Sequence, residues 1–160
     1  MEYVEVSAGF LSHVIVRLGI YVETILSVFG KSKGWKGRSG GYFCLINRET
    51  GRILMVALVG SVPLEKAKRY LTFAIEKAVR LFSYSEHKTS WESRDPIQNK
   101  WGGAVAGKHY ILSFSGFPEK GDTVLMLRLL KLIEDPTSDT LEKLAKLGGC
   151  SKQWERFKGY

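Results

Sequence analysis

Two pairs of short apolar runs, each folded back on itself at a glycine-bearing turn, decide most of what this chain can become. Residues 42–47 and 52–59 are rich in Val, Ile, Leu, Phe and Tyr, and they flank Arg48-Glu49-Thr50-Gly51. Residues 102–106 and 109–114 repeat the arrangement around Gly107-Lys108. Turns this short join antiparallel neighbours, because parallel neighbours need a crossover of about a dozen residues or more. Between the pairs, Pro63 opens a helix through Phe82, since proline is pre-set for a first helical turn. Leu64, Ala67, Leu71, Ile75, Ala78 and Phe82 fall on one of its faces, with Lys66, Arg69, Thr72, Glu76, Lys77 and Arg80 largely on the other. The run at 88–93 offers a fifth strand. The expected fold is α+β: a four- to five-stranded, mainly antiparallel sheet with flanking helices, not a doubly wound parallel sheet.

Helical periodicity marks both ends of the chain. Leu11, Ile15, Leu18, Val22, Ile25 and Phe29 recur at steps of four and three, and Gly30 stops the helix. The apolar stretch 10–29 approaches bilayer length, but His13, Arg17 and Glu23 within it are costly at membrane depth, so a buried-face helix is expected. The acidic opening Met1-Glu2-Tyr3-Val4-Glu5 does not resemble a secretory signal, and the cytoplasm is the expected location. Asp122 is positioned to cap a helix over 123–134, and Pro136 breaks it. Asp139 with Glu142 reads as a capping box for a short last helix ended by Gly148, and 151–160 is a basic, aromatic tail. The 160 residues suit one domain, with a core over about 7–134 and a C-terminal helix and tail at 137–160. Cys44 and Cys150 are too few for a disulfide framework, and Cys44 reads as a small core residue.

Around this order of elements lie Ile46-Asn47-Arg48-Glu49-Thr50-Gly51-Arg52-Ile53-Leu54, Glu76-Lys77-Ala78, Gly102-Gly103-Ala104-Val105 and Ile111-Leu112-Ser113-Phe114-Ser115-Gly116-Phe117-Pro118-Glu119. Over most of 7–134 they resemble the haem-binding and haem-degrading-like proteins of profilin-like architecture. The resemblance implies a profilin-like or roadblock-like sheet, a role in binding, and haem as the cofactor such a module would take. The family often carries Asp-Ala-Gly-Gly in the first hairpin, where this chain has Asn47-Arg48-Glu49-Thr50-Gly51. No haem ligand of the family falls on a matching residue, so the resemblance carries fold further than cofactor.

Chemistry is sparsely marked. No Gly-x-Ser-x-Gly elbow accompanies His13, His87 and His109, and no spacing of His, Cys, Asp or Glu suits a metal, so catalytic and metal residues are not assigned. A net charge of +8 favours acidic partners. Two groups could meet them. Lys31, Lys33, Lys36 and Arg38 surround Trp35 in a glycine-rich loop, a pattern that can neutralise phosphates and stack bases; a basic helix surface (Lys66, Lys68, Arg69, Lys77, Arg80) and the basic tail would extend it. Trp91, Arg94, Trp101, Gly102 and Gly103, with His109 on the next strand, could roof a pocket for a small or anionic ligand, haem included. The expected function is a non-catalytic binding module for such a ligand or for a partner protein, working as a dimer through an apolar helix or sheet edge. A nucleic-acid-binding accessory protein is the alternative, and a haem-degrading-like enzyme the third.

Overall fold

The structure, a computed structural model, describes residues 5–160, so the acidic opening at 1–4 lies outside it. Alternate residues of the strand Gly40–Asn47 (β1) point to opposite sides of a sheet, and here both sides are buried. Phe43 and Leu45 enter one core, and Cys44 and Ile46 enter another. Helices must therefore cover both faces. The strand Ile53–Gly60 (β2) pairs with β1 on one side. Tyr110–Ser115 (β4) pairs with β1 on the other, from Tyr42 opposite Ser115 to Asn47 opposite Tyr110, and carries the short strand Ala104–Ala106 (β3) at its outer side. The order β2-β1-β4-β3 is antiparallel throughout, an α+β sheet of four strands.

Helix Leu64–Ser83 (α2) connects the hairpins and covers the Cys44 face through Ala74, Ala78 and Leu81. The helices Ala8–Phe29 (α1) and Glu119–Glu134 (α3) cover the other face, joined by Ser138–Leu147 (α4) and Ser151–Phe157 (α5). Ser7 starts α1 by accepting from the Phe10 amide. By length and composition α1 could cross a membrane; here its stripe Val14, Leu18, Val22 and Ile25 is buried in the core shared with α3.

The structure corrects several local expectations. Residues 88–93 do not form a fifth strand. Thr89 makes a single bridge to Val105, and the chain then closes into a 3-10 turn, Ser90–Ser93, because Glu92 Oε2 accepts from the Lys88 and Thr89 amides. Helix α3 begins behind Pro118, three residues before the expected cap, which leaves Asp122 inside the helix. Thr137, not Asp139, caps α4 by accepting from the Thr140 amide, while Asp139 pairs with Lys143 on the exposed face. The tail forms α5, whose Trp154 and Phe157 are buried, with Phe157 packed on Phe29.

Docking of that last helix has a measurable consequence. Trp154→Ala is expected to cost about 3–5 kcal/mol in urea denaturation, the range for a buried aromatic cut to alanine. An unchanged midpoint would mean that α5 is not part of the cooperative fold.

Candidate anion-binding cleft

Helical spacing set Lys77 and Arg80 on the solvent face of α2, but both are buried. Both lie on turns of the helix that press against the sheet beside Ala74, Ala78 and Leu81, so each needs a partner within the protein. Lys77 Nζ donates to the Phe114 carbonyl at 2.9 Å and to Asp122 Oδ2 at 3.2 Å. Asp122 Oδ1 accepts from the Phe117 amide at 2.9 Å, fixing the chain that leads from β4 into α3. The pair is almost dry, with side-chain exposures of 3% and 2%. Burial pushes the Asp122 carboxyl up to about 7, against the opposing pull of Lys77, the Phe117 amide and Arg38. The folded carboxyl thus lies above its unfolded value of about 4, so this group favours folding most at acid pH, and that advantage fades as pH rises through about 7.

Arg80 organises the irregular segment that follows. Its Nη1 donates to the carbonyls of Ser90 and Ser93 and to Ser93 Oγ, and its Nη2 donates to the Trp101 carbonyl. Nε donates to Glu76 at 2.8 Å. A second clamp closes the far side: Arg94 donates to Glu119 through Nε and Nη2, and its guanidinium lies 4.8 Å from the Trp91 ring centroid and 5.6 Å from that of Trp101. Glu119 Oε1 also accepts from the Gly102 amide. The segment 90–103 is thereby strapped to α2 and to the first turn of α3.

Between these parts opens a cleft of about 400 Å3, walled by α2, the end of β4 and the start of α3. Arg38, Lys66, Arg69 and Lys77 line it, with Glu119 and Asp122 on the opposing side. Lys77 is spent on Asp122 and Glu119 on Arg94. Among the described residues, Arg38, Lys66 and Arg69 have no carboxylate partner. Arg38 Nη1 donates to the Tyr70 hydroxyl at 2.7 Å and to the Gly116 carbonyl at 3.1 Å, which holds its charge at the mouth. Tyr70, Phe73, Trp101 and Phe117 give the cleft aromatic walls. The Trp101 indole N–H is buried without an acceptor among the described residues.

The residues expected at two separate sites are regrouped. Arg38, from the basic loop, and Trp101, from the crossing segment, meet in this one cleft. Trp91, Arg94, Gly102 and Gly103 stand behind its wall: Gly102 lies against Trp91, and Gly103 against Lys77 and Asp122. His109 does not join them. It sits at the β3–β4 turn, at the opposite end of β4, where Glu134 accepts from the Lys108, His109 and Tyr110 amides. Lys31, Lys33 and Lys36 remain exposed on the loop, but Trp35 is buried at 6% exposure between Phe29 and Phe117, at 5.5 and 5.0 Å. It is a core residue and is not free to stack a base. The basic tail is likewise engaged, with Arg156 donating to the Val28 carbonyl and Lys158 paired with Glu142 and Glu155.

Tyr70, Phe73, Phe117 and Asp122 carry no mark of a site in the sequence. Lys77 carried one signal: it shares a helical face with Ala74, Ala78 and Leu81, a position where a charge is either buried or out of place. Burial also pushes the Cys44 and Cys150 thiols up to about 12, so neither supplies a thiolate at neutral pH.

Fold and cleft together define a four-stranded antiparallel sheet sandwiched by helices, with a cationic, aromatic-walled pocket at one end. Comparison with protein-family models, curated proteins and solved structures gives no match to this chain.

Gly103 tests how tightly the ion pair is enclosed. It has φ +123°, and an added Cβ would sit 2.7 Å from Lys77 Nζ and 2.9 Å from both Asp122 Cβ and the Phe114 carbonyl oxygen. Gly103→Ala should lower stability by about 2–4 kcal/mol in chemical denaturation, from backbone strain and crowding. Gly19→Ala, in open space within α1, should instead raise it by about 0.5–1 kcal/mol.

Proposed function

We propose that this protein is a non-catalytic binding module that takes a small organic anion into the cleft between α2, β4 and α3. One observation carries the reading: three cations without carboxylate partners among the described residues, Arg38, Lys66 and Arg69, converge on a concave site whose walls are aromatic. Guanidinium groups suit the planar oxygens of a carboxylate, sulfate or phosphate, and the rings offer faces for a planar organic part. Asp122 and Lys77 form the floor. They hold the cleft open and set its charge.

Phenyl phosphate is the direct probe. It should bind in isothermal titration, and Arg69→Ala or Lys66→Ala should each weaken it roughly tenfold, the worth of one charge-assisted contact. Absence of binding at millimolar concentration, or binding by both variants as tight as that of the wild type, would contradict the assignment. Phenyl sulfate, whose charge is constant near neutrality, isolates the floor. As pH falls through about 7, Asp122 takes up a proton and the cleft loses a negative charge, so binding should tighten from pH 8 to pH 6. Binding that weakens over that range would contradict the role given to Asp122.

A second reading, haem, rests on a different place. His109 lines a cavity of about 710 Å3 with Leu130, Leu144 and Leu147, and Arg48, Lys88, Lys108 and Lys143 stand around it. The imidazole would offer an axial nitrogen and the cations would meet propionates. Haemin titration should then give a Soret shift that His109→Ala abolishes. No spectral change at micromolar haemin removes this reading and leaves the anion cleft untouched.

A further inference from the structure

We infer that β2 and the apolar flank of α2 beside it form a two-fold interface with a second copy of this chain. The two edges of the sheet are treated differently. The β3 edge is closed: Thr89 bridges Val105, the Ala106 amide donates to the Lys88 carbonyl, and the Ala104 amide donates to Ser90 Oγ. The outer side of β2 pairs with no strand among the described residues. Its eight residues, Ile-Leu-Met-Val-Ala-Leu-Val-Gly, contain no charge and no proline, the usual devices that keep an exposed edge from pairing.

The face next to that edge is also bare. Helix α2 lies over β1 and β4, so no described element covers the α2 side of β2. A register shift between Leu45 and Ile46 aligns Ile53 with Ile46, so Ile53 joins Val56 and Leu58 on that side. Leu71, Ile75, Val79 and Phe82 follow steps of four, four and three along the flank of α2 that overlooks β2, and the Phe82 ring reaches Gly51 in the β1–β2 turn. Ile53 is 48% exposed, Val56 39%, Leu58 51%, Val79 45% and Phe82 38%. Those five residues together expose roughly 400 Å2, the size of the largest apolar patch on a typical monomer, which is often a functional one.

A second copy is the occupant that fits. An antiparallel strand is complementary to itself across a two-fold axis, each chain offering the same donors and acceptors. Centring the axis on Ala57 sets Val56 opposite Leu58 of the partner subunit and Met55 opposite Val59 of the partner subunit, apolar against apolar. The flanking Arg52 then falls opposite the partner's Val62, away from its own copy. Two such patches give about 800 Å2 before the strand backbones are counted, close to the ~1,000 Å2 a specific interface needs. The cationic cleft lies on the other flank of α2, so pairing leaves it open, and the two assignments stand or fall separately.

Sedimentation equilibrium of the full chain decides the matter. At roughly 50 μM the wild type should be a dimer. Val56→Lys/Leu58→Lys, and separately Val79→Lys on the helix surface, should each raise the dimer dissociation constant at least about tenfold with near-ultraviolet circular dichroism unchanged. A monomeric wild type overturns the inference, including one that takes up an extended peptide along β2. A wild-type dimer that both well-folded variants preserve overturns it as well, because the contact would then lie elsewhere. Should the strand variant fail to fold, the Val79→Lys result alone decides.

Discussion

The Lys77–Asp122 pair fixes the relation of three elements that local sequence would leave independent. It ties the middle of α2 to the first turns of α3 and to the Phe114 carbonyl at the end of β4. Removing two charges from water is expensive, and the attraction between them offsets that cost only when the remaining donors and acceptors are also matched. Here they largely are, since the second carboxylate oxygen takes the Phe117 amide and the ammonium takes a main-chain carbonyl. The close approach of Gly103 seals the pair from above. The wall of the cleft and the start of α3 therefore take their positions from one buried contact.

Helix α2 then divides the molecule. The flank bearing Lys66, Arg69, Tyr70, Phe73 and Lys77 faces the cleft, while Leu71, Ile75, Val79 and Phe82 look over the open strand. Between them Ala74, Ala78 and Leu81 press onto the sheet, and the two alanines are small enough to bring the helix close. Arg80 extends the polar flank by gathering the carbonyls of Ser90, Ser93 and Trp101, which turns a long irregular connection into a fixed wall. One helix serves as core, as cleft wall and as apolar surface, each through residues about a third of a turn apart.

The fold class was legible because its signals are local. Each hairpin declares itself through turn chemistry and adjoining apolar runs, and Asn47 does what such turns need by accepting from the Glu49 and Thr50 amides. The site was legible only in fragments. Arg38 and Trp101 were both singled out, yet in different groups, because their meeting depends on β1 pairing with β4 across a long separation. Lys77 and Arg80 look solvent-facing by periodicity, and only partners far along the chain, Asp122 and Trp101, explain their burial. Asp122 has the sequence context of a helix cap, and nothing near it in the chain marks its distant lysine. The basic neighbours of Trp35 suggest a base-stacking role, whereas Phe29 and Phe117 enclose it. Side chains whose roles are set by contacts distant in sequence are the ones that composition and spacing misplace.

The role of the buried pair is tested most directly by a double-mutant cycle of Lys77→Met and Asp122→Asn, followed by urea denaturation at pH 8 and pH 5. Removing Lys77 alone leaves an uncompensated carboxylate at pH 8, which should cost about 3–5 kcal/mol. At pH 5 that carboxyl is protonated, so the cost should be smaller, and the double variant should recover much of the loss at pH 8. Equal costs at both pH values, with the two substitutions simply additive, would show that the pair does not hold α2, β4 and α3 together.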